Sequence, residues 1–224
     1  MGRPPGHSKG YEAKKQEIID TAAALFAKNG YASTGTTELG DVTGLAKGAL
    51  YYYIKSKENL LVEIQDRVLE PLLEETRAAQ SVDISAAARL RLVSEILLNM
   101  IYARLDHIWV YEHDYRHLSG KNLKKFLARR HEFEMIIESI IVEAMRDEQF
   151  LHSDPHLAML QFFNLHNHTY QWLKPGTTRW TAEELSTTYC RTLFGGFGTP
   201  GLDIDAVERE VAAHHEGAQA AVGA

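Results

Sequence analysis

The chain has 224 residues, 45% of them hydrophobic and 24% charged, with a formal net charge of −6. This is ordinary for a globular protein of one or two domains with an ample core. No apolar run is long enough to span a bilayer, MGRPPGHSKG is no apolar leader, and the lone Cys190 allows no internal disulfide; a cytoplasmic protein without a membrane partner is expected.

Alternating β-branched runs bounded by turn residues are absent, so the chain reads as helical almost throughout. Residues 1–10 form a Gly/Pro/basic arm. The first helix is expected from about Tyr11 to Asn29, where Ile18, Ala22, Leu25 and Phe26 make one apolar stripe and Gly30 stops the run. A short second helix follows around Thr36 to Val42. Gly44 to Leu60, GLAKGALYYYIKSKENL, then reads as a tight turn, a short aromatic helix, a break and the capped start of a longer helix. These pieces make a helix-turn-helix headpiece, whose short helix suits the major groove of DNA. On a helical wheel centred on Leu50, Ala46 and Ile54 join the buried face. Gly48, Tyr51 and Tyr52 point away, with Lys47, Ala49 and Tyr53 on the flanks. Lys57 stands at the start of the next helix, and Thr36 and Thr37 at the start of the second, where free N–H groups favour a phosphate.

The long helix behind the head has Ser56 as N-cap, and Pro71 is expected to kink or restart it. Thr76 to Ser85 reads as a connection or weak helix. Further helices are expected over Leu90–Ile101, His107–Leu118 and Asn122–Glu148, with a break at Ser119-Gly120. Asp154-Pro155 opens another, reaching Trp172. The capping box Thr181/Glu184 starts a last main helix that fades at Gly195-Gly196. The tail from Phe197 has room for one short helix around Ile204, Val207 and Val211.

Charge is divided along the chain. Residues 1–60 carry eight Lys/Arg against six Asp/Glu, and the remainder sixteen against twenty-four. An acidic body behind a mildly basic head presents one end to DNA, and so modest a positive charge requires two copies for useful affinity.

Two stretches in the body have the mixed apolar and polar composition of a ligand pocket. One carries Trp109, His113 and Arg116, the other Phe163, Asn167 and Tyr170. Taken singly, Phe162, Phe163 and Trp172 read rather as core. His113/His117 and His152/His156 have i,i+4 spacing, but no carboxylate or Cys completes a ligand set, so neither a metal nor a cofactor is expected. HEFEM at His131 lacks the second His of a zinc protease motif. Lys121, Lys125 and Arg129, beside Lys124 and Arg130, read as a solvated face, with a phosphate-docking patch as the alternative.

The first sixty residues resemble the DNA-binding domain of TetR-family repressors. AAALFAKNGY matches that family's A-x-x-L-F-x-x-x-G-Y/F, and TGTTELG stands at its second helix. GLAKGALYYYIKSKENL stands where the family shows G-[VL]-[ST]-x-G-x-[LI]-Y-x-[YH]-F-x-[SN]-K-E-x-L. The resemblance implies DNA contacts by Thr36, Thr37, Lys47, Gly48, Ala49, Tyr51, Tyr53 and Lys57. Departures are Gly35 and Gly40, which loosen the second helix by about 1 kcal/mol for the mid-helix glycine, Thr37 at an often basic position, and Ile54 for Phe. Further on, VYEHDYRHL and NHTYQWLKPGTTRWTAEEL are similar to the C-terminal domains of TetR-like regulators of fatty-acid and steroid breakdown, which respond to acyl-CoA thioesters. Asn167, Tyr170, Trp172, Lys174 and Pro175 match, whereas His168 and Gln171 replace Trp and Arg.

The resemblance implies an all-α protein. A three-helix DNA-binding domain over 1–56 precedes an effector-binding and dimerisation bundle over 57–196 and a tail over 197–224. It also implies a homodimer, and Leu185, Tyr189, Leu193 and Phe197 make a stripe on the last main helix that would serve it or pack within its own bundle. The expected function is a ligand-responsive repressor acting on a palindromic DNA operator. A helical enzyme or ligand carrier with a vestigial head is the competing reading. No G-x-S-x-G, P-loop or dinucleotide glycine motif supports an enzyme.

Overall fold

The computed structural model describes residues 9–174 and 176–222; most of the basic arm, and Pro175, lie outside the described residues. The elements are α1 (Lys9–Asn29), α2 (Thr36–Thr43), α3 (Lys47–Ile54), α4 (Lys57–Gln80), α5 (Ala86–Ala103), α6 (Leu105–His113), a 3₁₀ turn (Tyr115–His117), α7 (Gly120–Arg146), α8 (Pro155–Asn167), α9 (Thr169–Trp172), α10 (Ala182–Phe197) and α11 (Ile204–Val222). The fold is all-α. The only strand-like pairing among the described residues is an isolated antiparallel bridge between Phe150 and Gly198.

Two compact units emerge. The first takes the chain up to Glu70 together with Arg104–Ala128, and the second takes Pro71–Ala103 and Arg129 onward, so the division falls inside α4 and α7 rather than at residue 56.

In the first unit, Ile18, Ala22, Phe26, Leu39, Leu50, Ile54, Leu60 and Leu61 are buried together as the core of the head. The turn between α2 and α3 is closed by Gly44 in the left-handed region (φ 68°), where a side chain would be strained. Gly40 is shut in: an added Cβ would stand 2.8 Å from the Leu45 carbonyl oxygen. That glycine therefore serves close packing of the turn rather than only loosening α2. Behind α3 the chain reverses at Lys55 (φ 62°), where the Ser56 N–H donates to the Ile54 carbonyl at 2.7 Å in a γ-turn. In the same unit α6 packs on α1.

In the second unit α5 is the centre, packed against α10 and α11. Arg91 is fully buried there. Its Nη1 donates to Glu95 at 2.8 Å, its Nη2 to the Thr187 hydroxyl at 2.8 Å, and its Nε lies 3.2 Å from Glu208. A buried cation of this kind is tolerated because each of its three nitrogens has an acceptor, two of them carboxylates. Ser94 donates to His166 Nε2 at 2.6 Å, and His166 Nδ1 donates to the Phe162 carbonyl at 2.7 Å. Cys190 is completely buried beside them, and burial pushes its thiol up to about 12, which fits a small core residue and not a nucleophile.

Several boundaries differ from the sequence reading. Pro71 sits within a continuous α4, which runs to Gln80, and Thr76 is buried in it. The helix from Pro155 divides at His168 into α8 and α9. α10 passes through Gly195-Gly196 to Phe197, and the tail helix is nineteen residues long rather than short.

Candidate nucleic-acid interface

α3 is short because its start and stop are both local. Ala46 is extended backbone and acts as N-cap without a side-chain bond, and Lys55 ends the helix in its γ-turn. Leu50 and Ile54 anchor it to the head. Ala46, expected on the buried face, is exposed, since the helical register that the wheel assumes begins only at Lys47.

The anchoring leaves Lys47, Gly48, Ala49, Tyr51 and Tyr52 exposed along one side of the helix. Gly48 has open space around its missing Cβ, so a base edge can approach the backbone there. Tyr53 is half-buried and stacks on Tyr11 of α1, with ring centroids 4.9 Å apart, while Tyr52 meets Tyr11 edge-on at 5.6 Å. The sequence places Tyr52 on the outward side of the helix and Tyr11 at the start of α1, but does not show that the two meet. Thr37 is exposed and Thr36 half-buried at the N-terminus of α2, where the first backbone N–H groups point outward.

Lys57 is placed differently from the other basic groups of the head. Its ammonium donates to the Tyr31 carbonyl, stands 4.1 Å from the Tyr31 ring centre and 5.8 Å from that of Phe26. Burial lowers its pKa. In this arrangement it clamps the turn after α1.

Further polar contacts tie the head to α6 and α7 inside the first unit. Tyr31 stacks on His117 at 5.0 Å. Glu58 accepts from the Ser119 N–H, the Ser119 hydroxyl and Asn122 Nδ2 at 3.0–3.1 Å. His107 on α6 is buried with its Nε2 3.3 Å from Asp20 of α1; burial outweighs that carboxylate and pushes the imidazole down to about 4. Arg67 of α4 donates to Gln16 of α1.

The expected effector residues fall into two sets. Trp109, His113 and Arg116 follow one another in the first unit. Trp109 is exposed and stacks on His113 at 4.6 Å, and Arg116 Nε donates to the His113 carbonyl at 2.9 Å. Phe163, Asn167 and Tyr170 lie on α8 and α9 in the second unit. Phe163 is half-buried against Phe133 at 5.6 Å, and Tyr170 is buried. A cavity of about 370 Å³ in the second unit is lined by none of the six. Of the basic run, Lys125 pairs with Asp66 at 3.3 Å and Arg130 with Glu134 at 3.3 Å, while Lys121 and Lys124 are exposed. No group of three or more His, Cys, Asp or Glu among the described residues could hold a metal.

The expected dimer stripe is turned inward. Leu185 and Leu193 are buried within the protomer, and the Tyr189 hydroxyl lies 3.0 Å from that of Thr169. Phe197 packs on Phe150 at 5.9 Å. The apolar stripe of α10 was sound as a pattern but belongs to the protomer's own core. Its exposed face carries Glu184, Thr188, Thr192 and Gly195 instead.

Comparison with known proteins agrees with this architecture. Residues 18–64 match the family described as bacterial regulatory proteins, tetR family, and residues 83–197 match the tetracyclin repressor-like C-terminal domain. The HTH-type transcriptional repressor KstR2 of Rhodococcus jostii (strain RHA1) is 23% identical over 199 residues, covering 88% of this chain and 97% of that protein. The solved ketosteroid transcriptional regulator KstR2 of Mycobacterium tuberculosis superposes with a TM-score of 0.79 at 20% identity, over 88% of this chain and all of that one. AibR, solved in complex with isovaleryl coenzyme A and operator DNA, gives 0.72 at 23% identity, over 81% of this chain and 98% of that one. At these identities the two solved structures speak for the fold alone. No helix among the described residues is long and apolar enough to cross a membrane. With family segments matching both its head and its body, the chain belongs to the tetR family of bacterial regulatory proteins and is a helix-turn-helix transcriptional regulator rather than an enzyme.

Proposed function

We propose that the chain represses transcription as a homodimer and leaves its operator when it binds an acyl-CoA thioester. The observation that carries the DNA half is the exposed side of α3. Lys47, Gly48, Ala49 and Tyr51 project from a helix whose other side is locked into the head by Leu50 and Ile54. Lys47 and Tyr51, with Thr36 and Thr37 at the start of α2, position the head on phosphates, and the small residues admit base edges. Tyr53 supports the surface through Tyr11. Two heads on a two-fold axis read half-sites about 34–36 Å apart.

The dimer face of this reading is the exposed side of α8 and α10, which pack together in the second unit. Leu157 and Leu160 are 55% and 42% exposed on α8, apolar surface that a second copy could cover beside the small residues of α10. Replacing both with Glu is expected to give a folded monomer in sedimentation velocity, with operator affinity lost.

The effector half rests on the mixed apolar and polar composition of two separate stretches, Trp109, His113 and Arg116 in the first unit and Phe163, Asn167 and Tyr170 in the second, each of which suits part of a thioester with an apolar tail, and on the ligand named for AibR. Effector binding at α6 would act on the head through the α1–α6 packing around His107 and Asp20. The ligand shifts the equilibrium only by its differential affinity for the two conformers. The test is selection of duplexes from a random library, followed by anisotropy titration with isovaleryl-CoA and longer acyl-CoAs. Sequence-specific binding released by acyl-CoA but not by free CoA is expected. Failure to select any sequence at low salt would overturn the DNA reading; selection without release would overturn only the effector class.

A further inference from the structure

Positive charge gathers at the start of α7. From Tyr115 to Ala128 the chain carries Arg116, Lys121, Lys124 and Lys125 and neither Asp nor Glu, in a protein whose net charge is −6. This stretch belongs to the first compact unit, with the head. Lys125 is spent on Asp66, at 3.3 Å. Lys121 and Lys124 are exposed, stand three residues apart on one side of the helix, and have no hydrogen-bond or ion-pair partner among the described residues. The first turn of α7 also lacks the acidic residue that a helix start favours, so nothing there offsets the two lysines.

Polar contacts fix this turn next to the reading helix. Glu58 accepts from the Ser119 N–H and hydroxyl at 3.0 Å and from Asn122 at 3.1 Å. The Lys125–Asp66 pair continues the contact further along both helices, so α7 and α4 start at the same end of the unit. Glu58 in turn follows the end of α3 at Ile54 by at most about 14 Å of extended chain. A duplex carries one negative charge per about 1.7 Å of its axis, so a helix seated in its groove has phosphates beyond both ends. The head brings little charge of its own to them, with eight Lys/Arg against six Asp/Glu over residues 1–60.

We infer, resting on the DNA reading above, that Lys121 and Lys124 hold backbone phosphates just outside the half-site read by α3, and so lengthen the footprint of each head without adding sequence preference. The operator selected from the random library tests this, made once flush with its outer half-site bases and once with eight further base pairs at each end. Anisotropy titrations at four salt concentrations are expected to show tighter binding of the longer duplex, with a salt slope steeper by about two for each head bound, whatever the added sequence. Lys121→Ala with Lys124→Ala should lose that gain and keep the unmodified affinity for the flush duplex, while Lys121→Arg with Lys124→Arg should retain it. Arg146→Ala with Arg209→Ala, which removes the same charge from exposed positions of the second unit, should change nothing. Circular dichroism establishes that each variant is folded. An affinity indifferent to the added base pairs, equal slopes for the alanine pair and the unmodified chain, or the same loss from the control pair would overturn the inference and leave the DNA reading standing. So would an alanine pair that loses only the binding of free CoA in calorimetry, which would assign the lysines to a small phosphorylated ligand. Selection of no duplex at all would remove both.

Discussion

Lys47 and Lys57 carry the same charge at the two ends of one motif, yet their surroundings assign them different work. Lys47 is exposed at the start of α3, with no hydrogen-bond or ion-pair partner among the described residues. Lys57 is held by the Tyr31 carbonyl and by two aromatic rings. Lys47→Ala should therefore weaken operator binding with little loss of stability and reduce the salt slope of log affinity by about one. Lys57→Met should instead lower stability by about 1–2 kcal/mol, because a carbonyl and two ring faces lose their cation, and leave the salt slope unchanged. Anisotropy titrations at four salt concentrations, beside urea unfolding, separate the two. A slope change for the Lys57 variant equal to that for Lys47 would return Lys57 to the DNA surface. The motif made both lysines legible as basic residues at helix starts, but not the direction of either side chain. That direction depends on where Tyr31 comes to rest, a contact across twenty-six residues.

α7 begins without a capping residue of its own in the usual sense. Gly120 opens it with φ 50°, and the acceptor for the Ser119 N–H is Glu58, sixty-one residues earlier. The three hydrogen bonds to Glu58 hold its carboxyl below the usual range, chiefly the bond from Asn122. That stabilisation is complete above the ordinary carboxylate pKa and is lost as pH falls through the lowered one. Glu58→Ala should fray the first turn of α7, with faster hydrogen exchange at Asn122 and Leu123 and no change in the middle of the helix. Unaltered exchange there would mean that α7 starts on its own. The periodicity of Phe126, Phe133, Ile137 and Ile141 made this helix legible, as similar stripes did for α1 and α5, because burial of one face imposes spacing. Long-range caps impose none. For the same reason the sequence showed α10's apolar stripe but not its partner: a stripe records that a face is buried and not whether the same chain or a second copy covers it. α11 was underestimated because its Ala and Gly content gives a sparse stripe, held by Val207 and Val211 alone.

At the scale of the whole molecule, each compact unit encloses one neutral imidazole. His107 lies in the first, where burial overcomes the favourable Asp20 and is reinforced by Arg104 and Arg67. His166 lies in the second, fully buried, with both ring nitrogens committed to Ser94 and the Phe162 carbonyl. Both are pushed down to about 4 from an ordinary 6.5. Between those values the unfolded chain binds a proton at each position and the folded chain does not. Stability is therefore complete above about pH 6.5 and falls as pH drops toward 4, by up to about 1.4 kcal/mol per pH unit for each histidine. Glu75 and Asp114, whose carboxyls burial raises, act in the opposite sense but nearer the carboxylate range, so the histidines govern the upper part of the window. Thermal melts from pH 7.5 to 5.0 should show a falling midpoint. His107→Gln should remove about half of the slope whatever it does to the midpoint itself, since the glutamine cannot take up a proton, and His166→Gln should remove the other half. If the two units melt separately, each substitution should flatten only the transition of its own unit. A profile that is flat from 7.5 to 5.0 in the unmodified chain would mean that both imidazoles reach solvent, and with that the packing of α6 on α1, the route by which an effector would reach the head, would have to be looser than it is here.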